Sequence, residues 1–110
     1  MAQPEPVLQL ETEKNPGSTT VHCTGKVVTE SAGRFSRVVR GLIPDGRPIY
    51  IDLENVSRID SVGIGTFVSV WASAKKGGCP LKFINLNDQI SDLFAITRLQ
   101  DMFGADAAKA

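Results

Sequence analysis

Residues 49–78 read IYIDLENVSRIDSVGIGTFVSVWASAKKGG, and a change of period inside them decides the fold. "IYIDL", Ile49 to Leu53, is short and apolar, the composition of a buried strand. Further on, Ile64, Phe67, Val68, Trp71 and Ala74 fall on one face of a helix, which the Gly77-Gly78 pair ends. The join is "RIDSVGIGTF", Arg58 to Phe67, where an acid, a serine and two glycines stand at the mouth of the helix. A buried strand followed by such a helix is the first half of a parallel β-α-β unit.

The same alternation extends both ways. Upstream, Phe35, Val38, Val39, Leu42 and Ile43 mark another helical face, with Thr29 or Ser31 available as its cap and "PDGRP" as its stop. Before it, "TTVHCTGKVV" is rich in β-branched residues and predicts a strand. "VLQLETE" alternates weakly, and the Asn15-Pro16-Gly17 turn predicts that these two strands form an antiparallel hairpin. Downstream, "PLKFINL" predicts a strand, and Asn87 a cap for a helix bearing Ile90, Leu93, Phe94 and Thr97. Leu99, Met102 and Phe103 extend the apolar content into a short turn or helix. The order ββ-α-β-α-β-α implies parallel pairing with right-handed crossovers. Residues 1–6 and 104–110 read as tails around one domain, 7–103.

The bulk numbers narrow the functional classes. With 110 residues the chain can bury roughly 65% of its unfolded surface, enough for a core without staples. Twelve basic and twelve acidic side chains cancel, so nothing marks the whole chain as a direct nucleic-acid binder. Two cysteines, Cys23 and Cys79, make neither a disulfide framework nor a zinc site, and no metal or cofactor is expected. No apolar run approaches the ~20 residues of a membrane span, and "MAQPEP" is no signal peptide. These features predict a soluble cytoplasmic protein.

Three readings of the join compete. Asp60 or Ser61 could simply cap the helix. That leaves Gly63 and Gly65 unexplained, since each costs up to about 1 kcal/mol against alanine in a helix. Their presence suggests that something approaches the backbone closely. The side of the helix away from the sheet carries Ser61, Gly65, Ser69, Ala72, Ser73 and Lys76, small and polar, with nothing bulky to hold a partner off. A phosphate-cradling loop is a second reading, but the G-x-x-x-x-G-K-[ST] spacing is absent. A nucleophilic serine is the third. It would need a base, and His22 is the sole histidine, so catalysis by the chain itself is not expected.

Residues 49–78 resemble the central motif of the STAS domain, the module of bacterial anti-sigma factor antagonists. Its typical form is an apolar strand ending in Asp-Leu, a short loop, then Asp-Ser-x-Gly-hydrophobic-Gly opening a helix. Here those positions are Asp52, Leu53, Asp60, Ser61, Gly63, Ile64 and Gly65. "PLKFINLNDQISDLFAITRLQDMF" resembles the family's last strand and C-terminal helices. The resemblance implies a single α/β domain whose mixed, mostly parallel sheet carries its helices mainly on one face.

It also implies a role. In the family the serine matching Ser61 is phosphorylated by a partner that is both anti-sigma factor and kinase. The unphosphorylated form binds that partner and frees the sigma factor, and a phosphatase resets the switch. On this expectation Ser61 is the phosphoacceptor, and Asp60, Ser61, Gly63, Gly65, Ser69 and Ser73 meet the partner. Many such antagonists carry Gly-Glu-hydrophobic-Asp before the first helix. This chain has Gly25-Lys26-Val27-Val28, so both acids are replaced and Lys26 reverses a charge. The resemblance also admits an accessory subunit of a transporter or stress-signalling complex, its serine unmodified.

Overall fold

A computed structural model of the chain describes residues 6–109, without the side chains of Ala105 and Lys109. The expected tail at 1–6 therefore lies outside the described residues, apart from Pro6.

Strands β1 (Leu8–Asn15) and β2 (Ser18–Val27) form the expected antiparallel hairpin. Pro16 presets its own φ, and Gly17 takes φ +84°, a value open to glycine at little cost. Helix α1 (Thr29–Leu42) and a 3-10 turn (Ile43–Asp45) lead to β3 (Ile49–Ile59), parallel to β2. Helix α2 (Ser61–Lys76) leads to β4 (Leu81–Leu86), parallel to β3. Helices α3 (Asp88–Ile96) and α4 (Leu99–Phe103) follow. With β5 (Ala107–Lys109) at the far edge, the strand order is β1-β2-β3-β4-β5, so every crossover advances in one direction. Right-handed crossovers advancing one way put all the helices on one face of the sheet.

That face holds the core. Val21, Val27, Ile51, Leu53 and Phe83 of the strands meet Phe35 of α1, Phe67 of α2, Phe94 of α3 and Phe103 of α4. The rings form a continuous chain, with centroids 5.1 Å apart for Phe35–Phe67, 5.0 Å for Phe67–Phe83 and 4.7 Å for Phe83–Phe103. Offset aromatic contacts at this spacing add to burial energy and lock each helix to the sheet.

Four expectations are corrected here. The loop expected after Leu53 is strand, because β3 runs on to Ile59. Its buried residues Leu53, Val56 and Ile59 fall three apart because the β2–β3 register shifts twice, which hides the period of two. Residues 104–109, expected as part of a tail, form a 3-10 turn (Gly104–Asp106) and a fifth strand, β5 (Ala107–Lys109), parallel to β4. Three residues rich in alanine carry too little β-propensity to announce a strand. On α2 the buried stripe is Gly63, Phe67, Val70 and Ala74, with Ile64, Val68 and Trp71 flanking it half-buried. Trp71 stays at the margin because its indole N–H donates to Asp106 Oδ2 at 3.1 Å. Finally, neither Thr29 nor Ser31 occupies the N-cap of α1, which is Val28.

Candidate functional site

Asp60 is the N-cap of α2 and something more. Its Oδ1 accepts from the Gly63 N–H at 2.9 Å, the expected cap. Its Oδ2 accepts from both the backbone N–H and the hydroxyl of Thr29, each at 2.9 Å. Thr29 is the first residue of α1, whose own N-cap, Val28, has no side-chain acceptor to offer. One carboxylate thus satisfies donors at the start of two helices. The Gly63 amide first, and the Thr29 donors after it, hold the Asp60 carboxyl below the usual carboxylate range. Asn87 closes the same end of the sheet. Its Oδ1 accepts from the Ile90 N–H, capping α3 as expected, while its Nδ2 donates to the carbonyls of Leu53, Glu54 and Val56.

Ser61 is the first residue of α2, exposed, and its hydroxyl makes no hydrogen bond among the described residues. Asp60 having taken the cap, Ser61 is left with no structural duty. Val62 beside it is a large apolar side chain in solvent.

The two glycines have different reasons. Gly63 is buried, and a Cβ there would overlap the Val27 carbonyl oxygen and meet Ile59 Cγ2 at 2.8 Å. The close approach it permits is internal, between α2 and the end of β2. The expectation that Gly63 opens the backbone to a partner is corrected accordingly. Gly65 is exposed and a Cβ there would meet nothing within 4 Å.

Ser69 and Ser73 lie on the small face as expected, but it is not bare. The guanidinium of Arg40, from α1, donates to Ser69 Oγ at 2.5 Å and to Ser73 Oγ at 2.6 Å, while its Nε donates to Ser36 Oγ at 2.9 Å. The open part of α2 is therefore its first turn, around Ser61, Val62 and Gly65. Thr29 is expected only as a cap for α1; its tie to Asp60, and that of Arg40 to Ser69 and Ser73, are not foreseen. Both act across contacts of about thirty residues' separation, for which the sequence carries no local signal.

His22 does not join this site. It sits on the outer face of the sheet, where its Nδ1 is 2.9 Å from Asp52 Oδ2 and its Nε2 2.8 Å from Glu13 Oε1. Both ring nitrogens are engaged and neither reaches Ser61, so a serine–histidine pair is not assembled. Among the described residues no cluster of three or more His, Cys, Asp or Glu side chains could hold a metal ion, and no helix is long and apolar enough to cross a membrane.

A family model described as the STAS domain matches residues 9–109. The chain belongs to the STAS domain family. An anti-sigma-B factor antagonist of Bacillus subtilis (strain 168) is 31% identical to it over 100 residues, 91% of this chain and 92% of that protein. Another, of Staphylococcus aureus (strain NCTC 8325 / PS 47), is 32% identical over 96 residues, 86% of this chain and 89% of its own length. A solved structure of an anti-sigma factor antagonist from Mycobacterium paratuberculosis shares the fold, with a TM-score of 0.79 at 17% identity over 93% of this chain and 85% of that one. In this STAS domain the mixed sheet with helices on one face stands as expected. The Asp-Ser-x-Gly-x-Gly element is the start of α2.

Proposed function

We propose that this STAS domain is an anti-sigma factor antagonist, a binding module that engages an anti-sigma factor through the first turn of α2 and is switched off by phosphorylation of Ser61. The observation that carries this reading is the free, exposed hydroxyl of Ser61 on a helix already capped by its neighbour. The names of the two relatives supply the class of partner.

Each residue has a distinct part. Asp60 fixes the angle between the starts of α1 and α2, and so the aim of Ser61. Gly63 lets α2 seat against β2. Gly65 and Val62 form the approach surface, one flat and one apolar. Arg40 braces Ser69 and Ser73, so that the later turns of α2 form a rigid, polar flank. Phosphorylation would add close to two negative charges in the middle of this surface. The helix start tolerates them through its exposed amides. The partner would have to desolvate them, at a cost of several kcal/mol unless a cation answers. The kinase activity belongs to the anti-sigma partner, and a phosphatase restores the hydroxyl.

The test is phosphate transfer. Purified protein incubated with its anti-sigma factor and ATP should gain one phosphate by intact mass, mapped to Ser61, with none gained by Ser61→Ala. Phosphate on another residue, or none with an active kinase, contradicts the switch.

A further inference from the structure

Strands β2 and β3 end side by side just before this edge, with Lys26 paired to Arg58 across the ladder. Both side chains are exposed, and neither makes a hydrogen bond or ion pair among the described residues. They line one cleft of about 250 Å³ together with Val28, Glu30 and Asp60. Two acids thus face two bases there, but they are not equivalent. Both oxygens of Asp60 are committed to Gly63 and Thr29. Glu30 stands exposed on the first turn of α1. Like charges paired on neighbouring strands repel, and neither Lys26 nor Arg58 has an ion-pair partner among the described residues.

A tetrahedral dianion fits such a pair, because a guanidinium can take two of its oxygens and an ammonium a third. A phosphate on Ser61 would stand one residue from Asp60, whose carboxylate repels it. Lys26 and Arg58 line the cleft with Asp60, the residue before Ser61, and would offset that repulsion. We propose that Lys26 and Arg58 are the counter-charges that receive a phosphate carried by Ser61. This rests on the reading of Ser61 as the phosphoacceptor. The modified domain then folds its phosphate back against its own strand ends, and the two cations disappear from the surface offered to a partner.

Phosphoserine placed at position 61 by an orthogonal translation system tests the pairing without any kinase. The second ionisation of the phosphate is followed by phosphorus NMR in the wild-type background, in Lys26→Ala, in Arg58→Ala and in the double variant. Melting curves show that each variant is folded, with Lys26→Gln and Arg58→Gln as replacements should an alanine variant not be. The expected midpoint lies about one unit below the value near 6 of free phosphoserine. It should return towards that value in the double variant, and in the wild-type background at about 1 M salt. A midpoint lowered equally in the double variant would overturn the proposal, since the helix amides alone would then suffice. A midpoint matching free phosphoserine in the wild-type background would overturn it too. Failure of the kinase assay above would leave this titration unaffected, so the two readings fail separately.

Discussion

Asp60 carries the burden that the sequence divides among several residues. Local spacing announces a cap for α2, since an acid stands before a helical pattern. It cannot announce Thr29, 31 positions earlier, as a second client of the same carboxylate. Asp60→Ala should therefore lower the melting temperature more than loss of an ordinary cap, and it should expose amides at the start of both α1 and α2 to hydrogen exchange. Protection lost in α2 alone would show that the Thr29 bonds contribute nothing. The lowered pKa of Asp60 gives a sign as well. A depressed carboxyl contributes stability that is present above its unfolded value near 4 and is lost as pH falls through the folded one. Asp60→Asn should flatten that part of the acid melting profile. The two glycines separate cleanly. Gly63→Ala must displace the Val27 carbonyl and should destabilise strongly, whereas Gly65→Ala stands in open space and should stabilise by up to about 1 kcal/mol. Comparable melting temperatures for the two variants would contradict this assignment.

Among the elements, those with an unbroken period were legible. The β1–β2 hairpin followed from Asn15-Pro16-Gly17, the α3 cap from Asn87, and the start of α2 from Asp60. Where two elements compete for a residue, the period misled. The α2 stripe is rotated onto Val70 because Phe67 is held between Phe35 and Phe83, and Trp71 is drawn outwards to Asp106. β3 ran past its expected end because its register shifts break the alternation. Phe67 remains the central core contact on α2, so Phe67→Ala should cost about 3–5 kcal/mol in chemical denaturation. A cost under about 1 kcal/mol would mean that the aromatic chain is not what holds α2 down. Outside the core, His22 ties three strands by bonding Glu13 of β1 and Asp52 of β3. The bond to Glu13 foremost, with Asp52 adding to it, raises its pKa against a smaller opposing effect of burial. A raised histidine contributes stability that is full below the unfolded value near 6.5 and is lost as pH rises through the folded one. The melting temperature should therefore fall across that range in wild type and stay flat in His22→Gln. Identical profiles would show that solvent fully screens the His22, Glu13 and Asp52 charges.

At the scale of the molecule, the core and the proposed switch occupy different places. The phenylalanine chain lies beneath the helices, while Ser61 projects from one end of the sheet with no bond to lose. A negative charge at Ser61 should therefore change recognition, and substitution there should leave folding alone. Titration calorimetry of the anti-sigma factor against wild type, Ser61→Ala and Ser61→Asp tests this most directly, with melting curves of the same three proteins beside it. The proposed switch requires near-equal melting temperatures, wild-type affinity for Ser61→Ala, and a loss of about 2 kcal/mol or more, roughly thirtyfold, for Ser61→Asp. Equal affinity for all three proteins would contradict it, leaving the start of α2 a helix terminus and nothing else.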